Sequence, residues 1–192
     1  MKTSTLALAA VVAAISASAA QADAKIEALA TSCNNCHGMN GISVGPSMPS
    51  IAGQSETYLK TVMLEWKSGE RYSAVMGRHV KGYSDEELGA LAAYFSKLPW
   101  TPVVQPADAK QIAHGKDSTE RCESCHGATG GAPDDEATPR LNGQWAKFML
   151  LELEKYREEG VSMPYKKMRK NAQKLDADDL PAVVHYYAAQ PK

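Results

Sequence analysis

The chain has 192 residues, 44% of them hydrophobic and 22% charged, with 21 basic against 22 acidic side chains and a formal net charge of −1. That balance leaves no basic surplus for a nucleic-acid backbone, and the composition is that of a folded chain rather than a disordered one. The length suits one ordinary domain or two very small ones.

At the amino terminus, Lys2 precedes an apolar run from Leu6 to Ile15, and small residues lead to Ala20-Gln21-Ala22, an A-x-A cleavage pattern that leaves Asp23 as the mature start. Residues 1–22 are therefore expected to be a secretory signal peptide. The strongly apolar stretch is shorter than the roughly 20 residues a spanning helix needs, and nothing later is long or apolar enough either, so no membrane span is expected. Loss of Lys2 with the leader leaves 20 basic and 22 acidic residues.

Ile26, Leu29 and Ala30 recur at helical spacing and lead into Cys33-Asn34-Asn35-Cys36-His37. Two thiols one helical turn apart can each add to one vinyl group of a single porphyrin, and the next residue supplies an imidazole to its iron. A lone Cys-x-x-Cys would also suit a redox dithiol or half a zinc site. Here His and then Gly38 follow at once, and no cysteine is left over for a four-thiolate cage. Because c-type haem is attached outside the bacterial cytoplasm, this reading and the leader agree on the periplasm.

The loop Gly45-Pro46 and Pro49-Ser50-Ile51-Ala52-Gly53-Gln54 comes next. Such a segment turns the chain, and it is also placed to aim a backbone carbonyl at the free ring nitrogen of the proximal histidine. Tyr58 and Trp66 lie on the following helical run. Ser84 with Glu87 then forms a capping box, and Leu88, Leu91, Phe95 and Leu98 make one apolar stripe. Prolines at 99, 102 and 106 end that helix and keep the chain extended.

Everything after the linker repeats. A weaker apolar set at Ile112 and Ala113 precedes Cys122-Glu123-Ser124-Cys125-His126-Gly127, and Pro139-Arg140-Leu141-Asn142-Gly143-Gln144 matches the first loop. Cys33 maps to Cys122 with an offset of 89, Gly53-Gln54 to Gly143-Gln144 with 90, and Tyr94-Phe95 to Tyr186-Tyr187 with 92. Tyr58 and Trp66 fall on Phe148 and Tyr156. Asp176 is the expected cap of the last helix, whose stripe is Leu180, Val183, Val184 and Tyr187. The chain is a tandem duplication, expected to be all-α: a signal peptide over 1–22, one haem domain over 23–98, a linker over 99–108 and a second haem domain over 109–192. Domains this small bury little apolar surface, so haem is expected to supply much of each core.

The second axial ligand decides what each iron can do. A methionine sulfur opposite His37 or His126 gives a six-coordinate electron-transfer centre, whereas an open position would permit catalysis. Met76 lies seven residues before Tyr83 and Met168 seven before Leu175, and their offset of 92 is that of the closing helices. Met163 gives an offset of 87 against Met76 and has no counterpart. Met76 and Met168 are the expected ligands, with Met63 and Met149 as core fillers. His79 and His185 lack partners in the repeat and are expected at the surface or between domains, and His114 has no evident role. Arg78, Tyr83 and Arg140 are candidates for hydrogen bonds to haem propionates.

The mature chain resembles the tandem two-haem cytochromes c of the c-four type. Each half has a haem motif, a Pro-x-Ile/Leu-x-Gly-Gln segment, a helix with an aromatic, a ligand methionine and a capped closing helix. Met76-Gly77-Arg78 with Lys81-Gly82-Tyr83-Ser84, Gly143-Gln144-Trp145, and Arg157-Glu158-Glu159 leading into Lys166-Lys167-Met168 resemble more specifically the cytochrome subunit of flavocytochrome c sulfide dehydrogenase. That resemblance implies two covalently bound haems c at Cys33, Cys36, Cys122 and Cys125, and no catalytic residue in this chain. It implies a FAD-containing sulfide dehydrogenase subunit as electron donor and a downstream cytochrome c as acceptor. The basic run Lys166-Lys167-Met168-Arg169-Lys170 could steer an acidic partner, although Glu152, Glu154, Glu158 and Glu159 largely offset it. A free dihaem carrier shuttling electrons to a terminal oxidase, and a dihaem peroxidase or redox sensor, are the alternatives.

Overall fold

The computed structural model describes residues 24–191, so the leader expected over 1–22 lies outside the described residues. The first half consists of α1 (24–37), a 3-10 turn at Met39–Gly41, α2 (Glu56–Ser68), α3 (Met76–His79), a second 3-10 turn at Val80–Gly82, and α4 (Asp85–Ser96). The second consists of α5 (Ala109–Ser118), α6 (Glu120–His126), α7 (Ala146–Arg157), α8 (Lys166–Ala172) and α9 (Asp179–Ala188). Among the described residues there is no strand, and no helix is long and apolar enough to cross a membrane.

Local chemistry starts and stops these helices. The Ser55 side chain accepts from the Tyr58 N–H to open α2, and Gly69, at φ 85°, closes it in the left-handed conformation. Ser84 and Glu87 make the expected reciprocal capping box on α4. Helix α9 opens at Asp179, three residues after Asp176, so Asp178 and not the expected Asp176 stands in the cap position; Asp176 Oδ1 accepts instead from the N–H groups of Asp178 and Asp179 at 2.9 and 2.8 Å, in the turn that leads into the helix.

Each half has its own core. Ala30, Leu59, Leu91, Ala92 and Phe95 form the first, and Ala146, Met149, Leu175, Val183, Val184, Tyr187 and Ala188 the second. The halves differ where the haem motif begins. In the first, α1 runs unbroken into the motif. In the second, α5 stops at Ser118 and α6 begins at Glu120, with Thr119 wholly buried between them. Of the expected apolar pair, Ile112 is half-buried while Ala113 is exposed. The contact with α9 is made instead by Gly115, where a Cβ would lie only 2.0 Å from the Ala182 carbonyl oxygen. His114 finds a role beside it, its Nε2 3.0 Å from Asp179 Oδ1.

The segment 99–108 has no regular structure until α5 nears, yet it is pinned along the second half. Trp100 Nε1 donates to the Asn142 carbonyl at 3.0 Å, the Val103 N–H to the Gly143 carbonyl at 2.9 Å, and Gln105 Nε2 to the Gln144 carbonyl at 2.9 Å. A second contact between the halves forms around Arg71. It is buried, paired through Nε with Glu65 at 2.7 Å, and its guanidinium carbon lies 5.9 and 5.8 Å from the ring centres of Tyr156 and Tyr165.

Candidate functional site

Cys33 and Cys36 sit one turn apart on α1, Cys122 and Cys125 one turn apart on α6, and none of the four is joined in a disulfide. Burial pushes the Cys33 thiol up, and burial followed by the Glu123 charge pushes Cys122 up to about 11. A raised thiol at Cys33 and at Cys122 is the opposite of the lowered pKa that a redox dithiol needs. Among the described residues no group of three or more His, Cys, Asp or Glu comes together as a bare-metal site.

The proximal histidines are built alike. His37 and His126 are 7% and 8% exposed, and their Nδ1 atoms lie 2.9 and 3.1 Å from the carbonyl oxygens of Pro49 and Pro139. A carbonyl only accepts, so Nδ1 carries the proton and the Nε2 lone pair is left for iron. Burial pulls both imidazoles below the usual histidine range, against the opposing effect of these hydrogen bonds. The glycine after each histidine is required by space: at Gly38, φ 78°, a Cβ would meet the Ile42 carbonyl oxygen at 2.0 Å, and at Gly127, φ 77°, the Ala132 carbonyl oxygen at 2.6 Å. The expectation that the proline loop aims a carbonyl at each histidine is met in both halves.

Met76 is the first residue of α3 and Met168 lies in the first turn of α8, both half-buried. Lys167 Nζ approaches Cys125 Sγ at 3.6 Å, so α8 begins beside the second motif. Met163 packs in a small cluster with Tyr156 and Ala172, with Met168 at its edge. Met149 is buried in the second core and Met63 packs against the first. His79 is exposed beside the Tyr83 ring, and His185 is half-buried in a cleft that includes Pro106.

Two candidates for propionate binding have protein partners. Tyr83 Oη lies 2.8 Å from Ser32 Oγ, and the Arg140 guanidinium donates to the Gly131 carbonyl at 3.3 and 3.0 Å while lying over the Trp100 ring. The chain offers a different donor. Trp66 Nε1 is buried with no hydrogen-bond partner, ten residues before Met76. A buried indole N–H without an acceptor fits a propionate, and neutral imidazoles with free Nε2 atoms beside paired thiols fit the porphyrin iron and vinyl groups.

Two such motifs in one helical chain define the class, a dihaem c-type cytochrome. The chain is 33% identical over 177 residues to cytochrome c4 of Azotobacter vinelandii, covering 80% of this chain and 82% of that one. It belongs to the cytochrome c4 family and is an electron-transfer protein carrying two covalently bound haems c. The solved structure of reduced recombinant cytochrome c4 from Pseudomonas stutzeri matches with a TM-score of 0.77 at 28% identity, covering 88% of this chain and 98% of that one. The all-α architecture is thus that of two tandem cytochrome c domains. A thiosulfate dehydrogenase electron acceptor from Thiomonas intermedia is 31% identical over 174 residues, 84% of this chain and 80% of that one. The cytochrome subunit of sulfide dehydrogenase from Chlorobaculum tepidum is 47% identical over 72 residues, 38% of this chain and 64% of that one. No family model matches the chain.

Proposed function

We propose that this cytochrome is the haem-bearing partner of a periplasmic sulfide dehydrogenase, taking electrons from a FAD-containing subunit and passing them to a soluble cytochrome c. The observation that carries this reading is the 47% identity to the cytochrome subunit of sulfide dehydrogenase over 72 residues, 38% of this chain. Residues 23–98 and 109–192 form the two haem domains and 99–108 the linker. Cys33 and Cys36 would hold one haem and Cys122 and Cys125 the other, with His37 and Met76 as the residues that would bind the first iron and His126 and Met168 the second. Bound haem supplies one-electron chemistry, and two such centres match a two-electron flavin. The chain's own part is to orient each imidazole through its Nδ1 hydrogen bond; Met76 and Met168 would each offer a thioether to the iron of its half and so exclude water from it. With two such donors to each iron no residue here would serve as a catalyst, and sulfide would be oxidised on the partner.

The matches to cytochrome c4 and to a thiosulfate dehydrogenase electron acceptor run over most of the chain and favour a second reading, a carrier that meets its donor only in passing. Isolation of the native protein at low salt, with flavin and haem assayed on the same fractions, separates the two. One flavin for every two haems supports a permanent sulfide dehydrogenase subunit. Flavin-free cytochrome, reduced by sulfide only when a separate dehydrogenase is added, overturns it in favour of the free carrier.

A further inference from the structure

Where the halves meet, two glutamine side chains are exchanged with near two-fold symmetry. Gln144 Oε1 accepts from the Ser50 N–H at 2.9 Å and its Nε2 donates to the Ser50 carbonyl at 2.8 Å. Ninety residues earlier, Gln54 Oε1 accepts from the Arg140 N–H at 2.9 Å and its Nε2 donates to the Arg140 carbonyl at 2.8 Å. Gln54 and Gln144 are 4% and 2% exposed, and each amide has only one orientation that satisfies both bonds. Sequence repetition marks Gly-Gln as a loop feature; it does not reveal that each glutamine belongs to the other half's loop.

The residue each glutamine grips is the one after the proline that faces the histidine. The Pro49 carbonyl and the Ser50 N–H are the two ends of one peptide group. One end accepts from His37 Nδ1, and the other donates to Gln144. Likewise the Pro139 carbonyl accepts from His126 while the Arg140 N–H, on the same peptide group, donates to Gln54. A peptide whose N–H is engaged is polarised and becomes a stronger acceptor at its oxygen, most of all in a buried, low-dielectric place. A stronger acceptor at Nδ1 makes the imidazole a more basic ligand at Nε2.

We propose that Gln54 and Gln144 are positioning residues, each tuning and holding the proximal histidine of the opposite half, so that docking of the domains sets the properties of both irons. The inference rests on His37 and His126 being the iron ligands. Gln144 acts on His37 through Ser50 and Pro49, and Gln54 acts on His126 through Arg140 and Pro139. Because a more basic imidazole favours ferric iron, loss of either bond raises the potential of the opposite haem. The coupling is therefore crossed, and a residue that merely supported its own domain would not produce it.

The experiment uses the full chain with both haems attached, as wild type, Gln144→Ala, Gln144→Met, Gln54→Ala and Gln54→Met; methionine keeps the side-chain volume and removes both hydrogen bonds. NMR resolves the two haems and the two histidine Nδ1–H signals. The Gln144 variants are expected to speed exchange of the His37 Nδ1–H by about tenfold and to shift the reduction equilibrium of the first haem toward ferrous by about twofold to threefold, leaving the second haem unchanged. The Gln54 variants are expected to do the same to His126 and the second haem. Changes that fall in the variant's own half, fall equally in both, appear only with alanine, or fail to appear overturn the proposal. The ligation reading fails separately: a wild-type protein in which the His37 or His126 ring shows no haem-shifted signals refutes it whatever the variants do.

Discussion

Between Glu27 and Glu56 the first half has no charged side chain through its haem motif and the loop that follows, and Met39 and Val44 stand 77% and 87% exposed there. The matching stretch of the second half carries Glu120, Arg121, Glu123 and the acidic run Asp134-Asp135-Glu136. Both halves orient a histidine with the same carbonyl, so the duplication has kept the chemistry of the centre and let its rim diverge. An uncharged apolar rim sheds water readily and is indifferent to salt, whereas a charged rim steers encounters and is screened within about 10 Å at ordinary ionic strength. Two copies of one motif can thus present two unlike docking surfaces.

The comparison is broken most severely by removing one haem at a time. Cys33→Ser with Cys36→Ser, or Cys122→Ser with Cys125→Ser, is expected to halve the haem content measured by a pyridine haemochrome assay. Each is expected to abolish the cooperative melt of the half that lost its haem, since a core this small depends on it. Next in size, Met76→Ala and Met168→Ala should each turn one iron high-spin and lower its potential by on the order of 100 mV, read by absorption and redox titration, while Met163→Leu leaves both spectra unchanged. If Met163→Leu alters the second haem, the ligand of that half is misassigned.

Two glycines sharpen the contrast further. Gly115→Ala drives a Cβ into the Ala182 carbonyl and is expected to destabilise the second half by about 2 to 4 kcal/mol in chemical denaturation. Gly89→Ala, in the middle of α4, meets only the Lys60 side chain at 3.6 Å and is expected to stabilise the first half by up to about 1 kcal/mol. The smallest effect is at the Arg71 contact. Burial first, and then the Glu65 charge and hydrogen bond, push Tyr165 up to about 12, while tyrosine in an unfolded chain ionises near pH ~10. The stabilisation is whole below pH ~10 and is lost as pH rises toward 12, and Tyr165→Phe should flatten that part of a stability-against-pH curve.

Much of this molecule is legible before any coordinates, because its chemistry is local. The haem motifs, the capping box at Ser84 and Glu87, and the carbonyl behind each histidine all involve residues close in sequence or repeated at a fixed offset. What escapes is what depends on approach between distant segments. Gly115 carries no hydrophobic signal, since its role is to be small where α5 meets α9, and helical periodicity points instead to Ala113, which faces solvent. His114 looked idle because its partner, Asp179, lies 65 residues away. The charge of Arg140 suggests a propionate donor and nothing more; its contacts with the Gly131 carbonyl and the Trp100 ring come from segments that sequence does not bring together. The glutamines were visible as a repeated pair, but repetition cannot show which copy of a loop a side chain serves.

The connector has one last consequence. Trp100, Val103 and Gln105 stitch it to the backbone of residues 142–144, so it is a strut, not a tether. Electron tunnelling weakens steeply with separation, and a swinging joint would make passage between the irons an intermittent event gated by collision. With a strut in place, any such passage would be a property of the folded state and not of chance encounter between the halves.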